Sequence, residues 1–268
     1  MSEIQSENID VKGLAVNYLT CGKGDPLIII HGGARGAESW LSNIKELSSQ
    51  YAVYVPNLPG FGGSQSMAGN PYILELVEFV DDFIRALKIE KCYLMGHSIG
   101  GGIALNYALR FPGKIVKLVL ISSLCLGKEI AFWIRLSSAL CRYLNNTMSS
   151  VVNGIEQLIN FFIGPDYSLG YICPAKITFG SKITQFEGQS LILSQRLPEI
   201  DIPTLLVWGD RDRVVPIEQA FSAASLIHDC QVKILGNSGH SAYKEKLKEF
   251  SQVLRRFLNE KKPTLSPT

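Results

Sequence analysis

The sequence predicts an α/β protein: a mostly parallel sheet with helices on both faces and a helical insertion late in the chain. Three observations carry this. Six short apolar runs stop abruptly at glycine, proline or serine. Stretches with helical spacing of apolar residues lie between them. The alternation breaks once, from about residue 124 to 199. Strands and helices in turn build a parallel sheet covered on both sides.

The strand candidates run in order. Leu27 to Ile30 ends at His31-Gly32-Gly33, and Tyr51 to Val55 ends at Pro56. Cys92 to Met95 ends at Gly96, and Ile115 to Ile121 ends at Ser122-Ser123. Thr204 to Trp208 ends at Gly209, and Gln231 to Leu235 ends at Gly236. These runs lack polar alternation, as expected of strands buried on both faces. Ile9 to Thr20 reads as an antiparallel start to the sheet.

Helices are expected over Ser39 to Ser49, Tyr72 to Leu87, Ile99 to Phe111, Ile217 to Ile227 and Tyr243 to Leu258. The second is the clearest, with Ile73, Leu76, Val77, Val80, Phe83, Ile84 and Leu87 on one face. Residues 124–199 hold helix-like apolar segments punctuated by Gly164-Pro165, Cys173-Pro174 and Leu197-Pro198. The expected organisation is a core of residues 1–123 and 200–268, with 124–199 as a helical lid. The tail from Lys261, with two prolines, is expected to fray.

Composition narrows the classes of function. The chain has 268 residues, 46% hydrophobic and 19% charged, enough apolar material for a sizeable core. A net charge of +2, with no basic run interleaved with aromatics, speaks against a nucleic-acid partner. Lys244, Lys246, Lys248, Arg255 and Arg256 are interspersed with Glu245 and Glu249, the pattern of a solvated helix face. The six cysteines are scattered and form no CxxC, so they read as reduced thiols, not as a disulfide framework or metal site. The polar N-terminus has no apolar signal core, and no run approaches the ~20 apolar residues of a membrane span. A cytoplasmic location is the expectation.

The chemistry centres on Gly96-His97-Ser98-Ile99-Gly100, which fits G-x-S-x-G between a strand and a helix. Such a turn strains its serine and projects the hydroxyl above the strand ends. The helix that follows presents free N–H groups and a positive dipole end to developing negative charge. A serine needs a base, and the chain has four histidines. His31, His97 and His228 read first as structural residues. His240 lies in the loop after the last strand, at the same sheet edge as Ser98, and is the candidate base. An orienting carboxylate is expected from Gly209-Asp210-Arg211-Asp212. Asp210 and Asp212 are both candidates, one as orienter and the other in an Asx-type turn. Oxyanion donors are expected at the N–H of Ile99 and the N–H of Gly33.

With GHSIG, His31 to Ala34, Trp208 to Pro216 and Ser238 to His240 in place, the chain resembles the α/β-hydrolase superfamily over nearly its whole length. The likeness is greatest to the capped, cofactor-free serine hydrolases. Pro59 to Ser64 and Asn106 to Pro112 add to it. The resemblance implies an eight-stranded-type sheet with the cap inserted after the sixth strand, and no metal or organic cofactor. Its W-G-x-x-D-x-x-x-P pattern, carried onto Trp208 to Pro216, selects Asp212 over Asp210. Serine at position 98 speaks against the dehalogenases and epoxide hydrolases, which use aspartate.

There are departures. Asn57 stands where many relatives have aspartate, and keeps a similar shape and turn chemistry. His31 to Gly36 resembles the H-G-G-G-P-G of carbon–carbon bond hydrolases, but Ser241 replaces the tryptophan those usually carry after the catalytic histidine. Proline iminopeptidases hold a substrate amine with acidic cap residues. Glu156, Glu187 and Glu199 read instead as solvated.

The expected substrate is a small molecule with an apolar acyl or aromatic part. Its contacts are expected from Ala34, His97, Phe132, Trp133, Leu136, Phe162, Val214 and Val215. Leu140, Phe161 and Phe179 join the apolar residues of the lid, many of which pack it onto the sheet domain. The sequence therefore points to a carboxylic ester hydrolase with Ser98, Asp212 and His240 as its triad. A carbon–carbon bond hydrolase with the same triad is one alternative. A receptor on the same scaffold, without turnover, is another.

Overall fold

The computed structural model describes residues 3–33, 35–67, 71–132, 134–135, 184–185, 188–189 and 191–260. Its centre is an eight-stranded sheet: β1 (Gln5–Val11), β2 (Leu14–Cys21), β3 (Asp25–Ile30), β4 (Tyr51–Pro56), β5 (Cys92–His97), β6 (Ile115–Ile121), β9 (Thr204–Gly209) and β10 (Cys230–Leu235). The order across the sheet is β1-β2-β4-β3-β5-β6-β9-β10. The β1–β2 and β2–β4 pairs are antiparallel and all later neighbours are parallel. The chain steps from β3 out to β4 and returns to β5 on the other side of β3. That reversal falls at the carboxyl ends of β3 and β5, the kind of place where open α/β sheets bind ligands.

Two hydrophobic cores follow from the period of two along each strand. Ile28, Ile30, Leu94, Leu118, Leu120, Leu206 and Trp208 face one core. There they meet α2 (Ile73–Ala86), α3 (Ile99–Arg110) and α4 (Glu218–Ala224). Leu27, Ile29, Val53, Val55, Met95, Val119, Leu205 and Val207 face the other. There they meet α1 (Leu41–Leu47) and α6 (Leu247–Asn259). Burial on both faces accounts for the unbroken apolar runs in the sequence.

Some boundaries differ from expectation. The antiparallel start is a hairpin of two strands, turned at Lys12 and Gly13 with φ 52° and 84°. Asp10 Oδ1 accepts the Gly13 N–H at 3.0 Å. Two successive positive φ values make the tight turn that matches strand twist. The stretch from Ser39 begins inside a 3₁₀ turn, Gly36–Trp40, before α1. The last helical stretch is two helices, α5 (Ala242–Glu245) and α6, parted at Lys246 where φ is −119° and ψ 45°.

Most of the expected lid, including its helical segments, lies outside the described residues, as does the tail from Lys261. The two ends of that stretch are described, and they pack into the first core through Leu124, Cys125, Leu126, Ile130, Ile134, Leu193 and Leu197. A two-stranded ribbon of β7 (Thr184–Gln185) and β8 (Gly188–Gln189) stands apart from the main sheet. Gln189 joins the ends: its Oε1 accepts the Cys125 N–H at 2.6 Å and its Nε2 donates to the Glu129 carbonyl at 3.1 Å. Gln219 of α4 donates to the same carbonyl at 2.6 Å. Among the described residues Cys21, Cys92, Cys125 and Cys230 are in no disulfide; Cys141 and Cys173 lie outside the described residues. Among the described residues no helix is long and apolar enough to cross a membrane.

Candidate active site

The glycines around Ser98 are explained by what surrounds them. A Cβ on Gly96 would press on the Gly100 carbonyl, and one on Gly100 would press on the carbonyls of Ile30 and His31. One on Gly101 would lie 2.5 Å from the Ser123 hydroxyl. The first turn of α3 is thus packed directly against β3 and β6, a contact only glycine allows. The whole stretch from Ile99 to Ala108 is buried.

Ser98 sits between β5 and α3 with φ 55° and ψ −117°, outside the regions a side-chain-bearing residue prefers. Three backbone hydrogen bonds hold it there. Its N–H donates to Ile121 at 2.9 Å, and its carbonyl accepts from Gly102 at 3.1 Å and Leu124 at 3.0 Å. Its Oγ is buried and has no hydrogen-bond partner among the described residues. A hydroxyl left unpartnered on a strained, tightly held backbone contributes nothing to the fold that an alanine would not.

His240 and Asp212 come together across adjacent strands. Leu235 at the end of β10 pairs with Gly209 at the end of β9, so the loops that follow leave the sheet side by side. His240 Nδ1 lies 3.0 Å from Asp212 Oδ2. The carboxylate is fully buried, and its Oδ1 accepts the N–H groups of Val214 at 2.8 Å and Val215 at 3.0 Å. Burial pushes its pKa up, but the neighbouring imidazole, its hydrogen bond and the two backbone donors together bring it below the ordinary value. An acceptor at Nδ1 fixes the ring as the tautomer with its proton there, leaving Nε2 open to take another. Asp210 does not make the expected Asx-type turn: its Oδ1 accepts the N–H of Ser238, 28 residues on, at 3.1 Å, whereas the local turn bond, to the Val214 N–H, is made by Asp212 itself.

The two expected oxyanion donors, the N–H groups of Ile99 and Gly33, can be located. Ile99 is the first residue of α3, so its N–H has no acceptor within its own helix. His31, fully buried, places Nδ1 2.6 Å from the Gly32 carbonyl while its Nε2 accepts the Leu58 N–H at 3.0 Å. With Nε2 accepting, Nδ1 carries the proton. The chain has no cis peptide among the described residues, so the Gly33 N–H points opposite to that tethered carbonyl. His31 is therefore a structural residue that sets the Gly32–Gly33 peptide.

The expected substrate contacts divide. Ala34, Trp133, Leu136 and Phe162 lie outside the described residues. So do Leu140, Phe161, Phe179, Glu156 and Glu187, while Glu199 is an exposed partner of Arg196. Phe132 is exposed, whereas Val214 and Val215 are buried and lend their N–H groups to Asp212. His97 is buried, with Nε2 2.9 Å from the His240 carbonyl. Sequence reading misses this tie; only the spacing of two strand ends in space reveals it. Asn57, the departure after β4, accepts the Ala37 N–H at 2.8 Å and donates to Asn17 at 3.0 Å.

Among the described residues no three or more His, Cys, Asp or Glu side chains gather in a metal-binding arrangement. A groove of about 470 Å³ lies elsewhere, beside β10 and α6, lined in part by Gln231, Lys233, Val253, Arg256 and Glu260. None of the expected catalytic or substrate-contact residues lines it.

Comparison with known proteins agrees with this architecture. The profile of the family described as the alpha/beta hydrolase fold matches residues 25–153. A 2-hydroxy-6-oxononadienedioate/2-hydroxy-6-oxononatrienedioate hydrolase from Comamonas testosteroni is 27% identical over 271 residues, covering 93% of this chain and 94% of the relative. The crystal structure of a membrane phospholipase A, described as a bacterial virulence factor, is 28% identical with a TM-score of 0.78, covering 96% of this chain and 86% of the other. A carboxylesterase from Bacillus subtilis shares the fold with a TM-score of 0.77 at 23% identity, covering 96% and 92% of the two chains.

Proposed function

The chain is an α/β hydrolase in fold, and from that premise we propose that it is a serine hydrolase acting on small carboxylic esters through an acyl-enzyme. One observation carries the reading. A fully buried Asp212 holds His240 at 3.0 Å at the sheet edge where Ser98 stands strained, its hydroxyl unpartnered among the described residues.

Ser98 Oγ attacks the ester carbonyl while His240 Nε2 accepts its proton. The buried carboxylate of Asp212 stabilises the imidazolium that results. The oxyanion of the tetrahedral intermediate takes hydrogen bonds from the N–H groups of Ile99 and Gly33, in the positive field at the start of α3. His240 returns the proton to the departing alkoxide, leaving Ser98 acylated. Water, deprotonated by the same imidazole, attacks the acyl group and frees the serine. The residues 124–199 act as the lid over this edge, and their apolar side chains select an apolar acyl or aromatic substrate.

A carbon–carbon bond hydrolase is the second reading, favoured by the name of the Comamonas relative. Ser241, next to His240, weighs against it on the resemblance described above. A short-chain aryl ester tests the main reading. A burst of phenol equal to the enzyme concentration, abolished by Ser98→Ala, is the expected result. Steady hydrolysis unaffected by S98A, or none with any ester in an acyl-chain series, would overturn it. Ligand binding without turnover would point instead to the receptor alternative.

A further inference from the structure

We propose that His97 is a positioning residue: its imidazole ties the His240 backbone to the strand that carries Ser98 and so fixes the base relative to the nucleophile. The catalytic consequence rests on the function proposed above; the tie itself does not.

His97 is the last residue of β5 and precedes Ser98 directly. Its Nε2 lies 2.9 Å from the His240 carbonyl oxygen, which can only accept, so Nε2 carries the proton. The ring centroid lies 4.8 Å from the His240 ring and 4.8 Å from the Tyr243 ring. Tyr243 is stacked on Trp40 at 3.9 Å, and Asn43 donates to its carbonyl at 3.1 Å, so that wall is firmly set. On the remaining side a Cβ added to Gly32 would lie 2.7 Å from His97 Nδ1, so the ring packs against the backbone of the loop leading to Gly33. One side chain therefore abuts the oxyanion loop, the base and the nucleophile's own strand.

Burial and the neighbouring His240 push the His97 pKa down to about 3, so the ring is neutral through the working range. A neutral donor suits this place. A second cation 4.8 Å away would oppose the imidazolium that His240 must become. His97 is buried, and its effect runs through where His240 sits. Loosening a catalytic group by about 1 Å can cost on the order of 10²-fold in rate.

Two substitutions separate the donor from the ring. His97→Phe keeps a ring without the N–H, while His97→Gln keeps an N–H that reaches the same carbonyl. The first readout is the low-field proton resonance of His240 Nδ1–H on Asp212, assigned with His240→Gln and independent of turnover. It is expected to broaden or vanish in H97F and to return in H97Q. The second readout is ester turnover: kcat down roughly 10- to 100-fold in H97F with KM within about threefold, and kcat restored to within a few-fold in H97Q.

An unchanged resonance and exchange rate in H97F would overturn the proposal, as would H97Q falling as low as H97F. Should H97F not fold, His97→Leu supplies the donor-free arm. Absence of Ser98-dependent turnover in the parent would sink the esterase reading alone, because the resonance still decides whether His97 holds the base.

Discussion

His240 Nδ1 and Asp212 Oδ2 lie 3.0 Å apart, across 28 residues of chain, because β9 and β10 run parallel and end together. The Asp212 side chain has no solvent contact, so its other oxygen depends on the Val214 and Val215 N–H groups for hydrogen bonds. Burial alone would favour the neutral acid; the His240 imidazole first, and those two donors after it, favour the carboxylate that can support an imidazolium.

Asp212→Asn preserves that shape, since an amide oxygen can still accept from Val214 and Val215. Its NH₂ group would face His240 Nδ1 and select the wrong tautomer. The expected loss in ester turnover is on the order of 10³- to 10⁴-fold, with the fold intact. Turnover of D212N within about tenfold of the parent would remove Asp212 from the mechanism.

The same carboxylate makes stability depend on pH. Its pKa is lower in the folded protein than in the unfolded chain, so its contribution is fully present above the unfolded value of about 3.9. That contribution is lost as pH falls through the folded value. Urea denaturation from about pH 6 down to about pH 3 should show the parent losing more stability than D212N. Parallel curves would contradict the assigned direction.

Gly96→Ala tests the packing of the elbow. The added methyl would strike the Gly100 carbonyl, which is backbone and cannot rotate away. A loss on the order of 1–3 kcal/mol or more is expected, or about 2–4 °C in Tm for each kcal/mol. Thermal unfolding of G96A equal to the parent would show that the first turn of α3 has room to shift.

Gln189→Leu should loosen the attachment of the described ends of residues 124–199 without touching Ser98, Asp212 or His240. It removes the acceptor of the Cys125 N–H and one donor to the Glu129 carbonyl. The cost expected for an unpaired buried donor is about 1–3 kcal/mol. Hydrogen exchange at the Cys125 amide should accelerate while the β5 and β6 amides stay protected. Uniform acceleration across the sheet would mean that the effect is global.

Much of this fold is legible in the sequence because its strands are buried on both faces. A run such as Leu27 to Ile30 cannot serve a half-exposed strand, and the observed strands β3, β4, β5, β6, β9 and β10 fall on the predicted runs. The Lys12-Gly13 turn escapes sequence reading because lysine seldom takes positive φ, and the break at Lys246 because the apolar spacing continues across it. At the site, Ser98 is legible because glycines at fixed offsets report a backbone strain. Apart from the family pattern, the residues leave Asp210 and Asp212 open, since both follow the same strand; in the structure the buried side chain and the contact with His240 single out Asp212. The ties of His97 to His240 and of His31 to Gly32 depend on ring directions, which no sequence pattern encodes.

Labelling with a fluorophosphonate, followed by mapping of the modified residue, tests the central claim most directly. The account predicts a single phosphonylated side chain, Ser98, with labelling abolished in Ser98→Ala and sharply slowed in Asp212→Asn. A protein that stays unlabelled while folded, or one labelled at a residue other than Ser98, would contradict it.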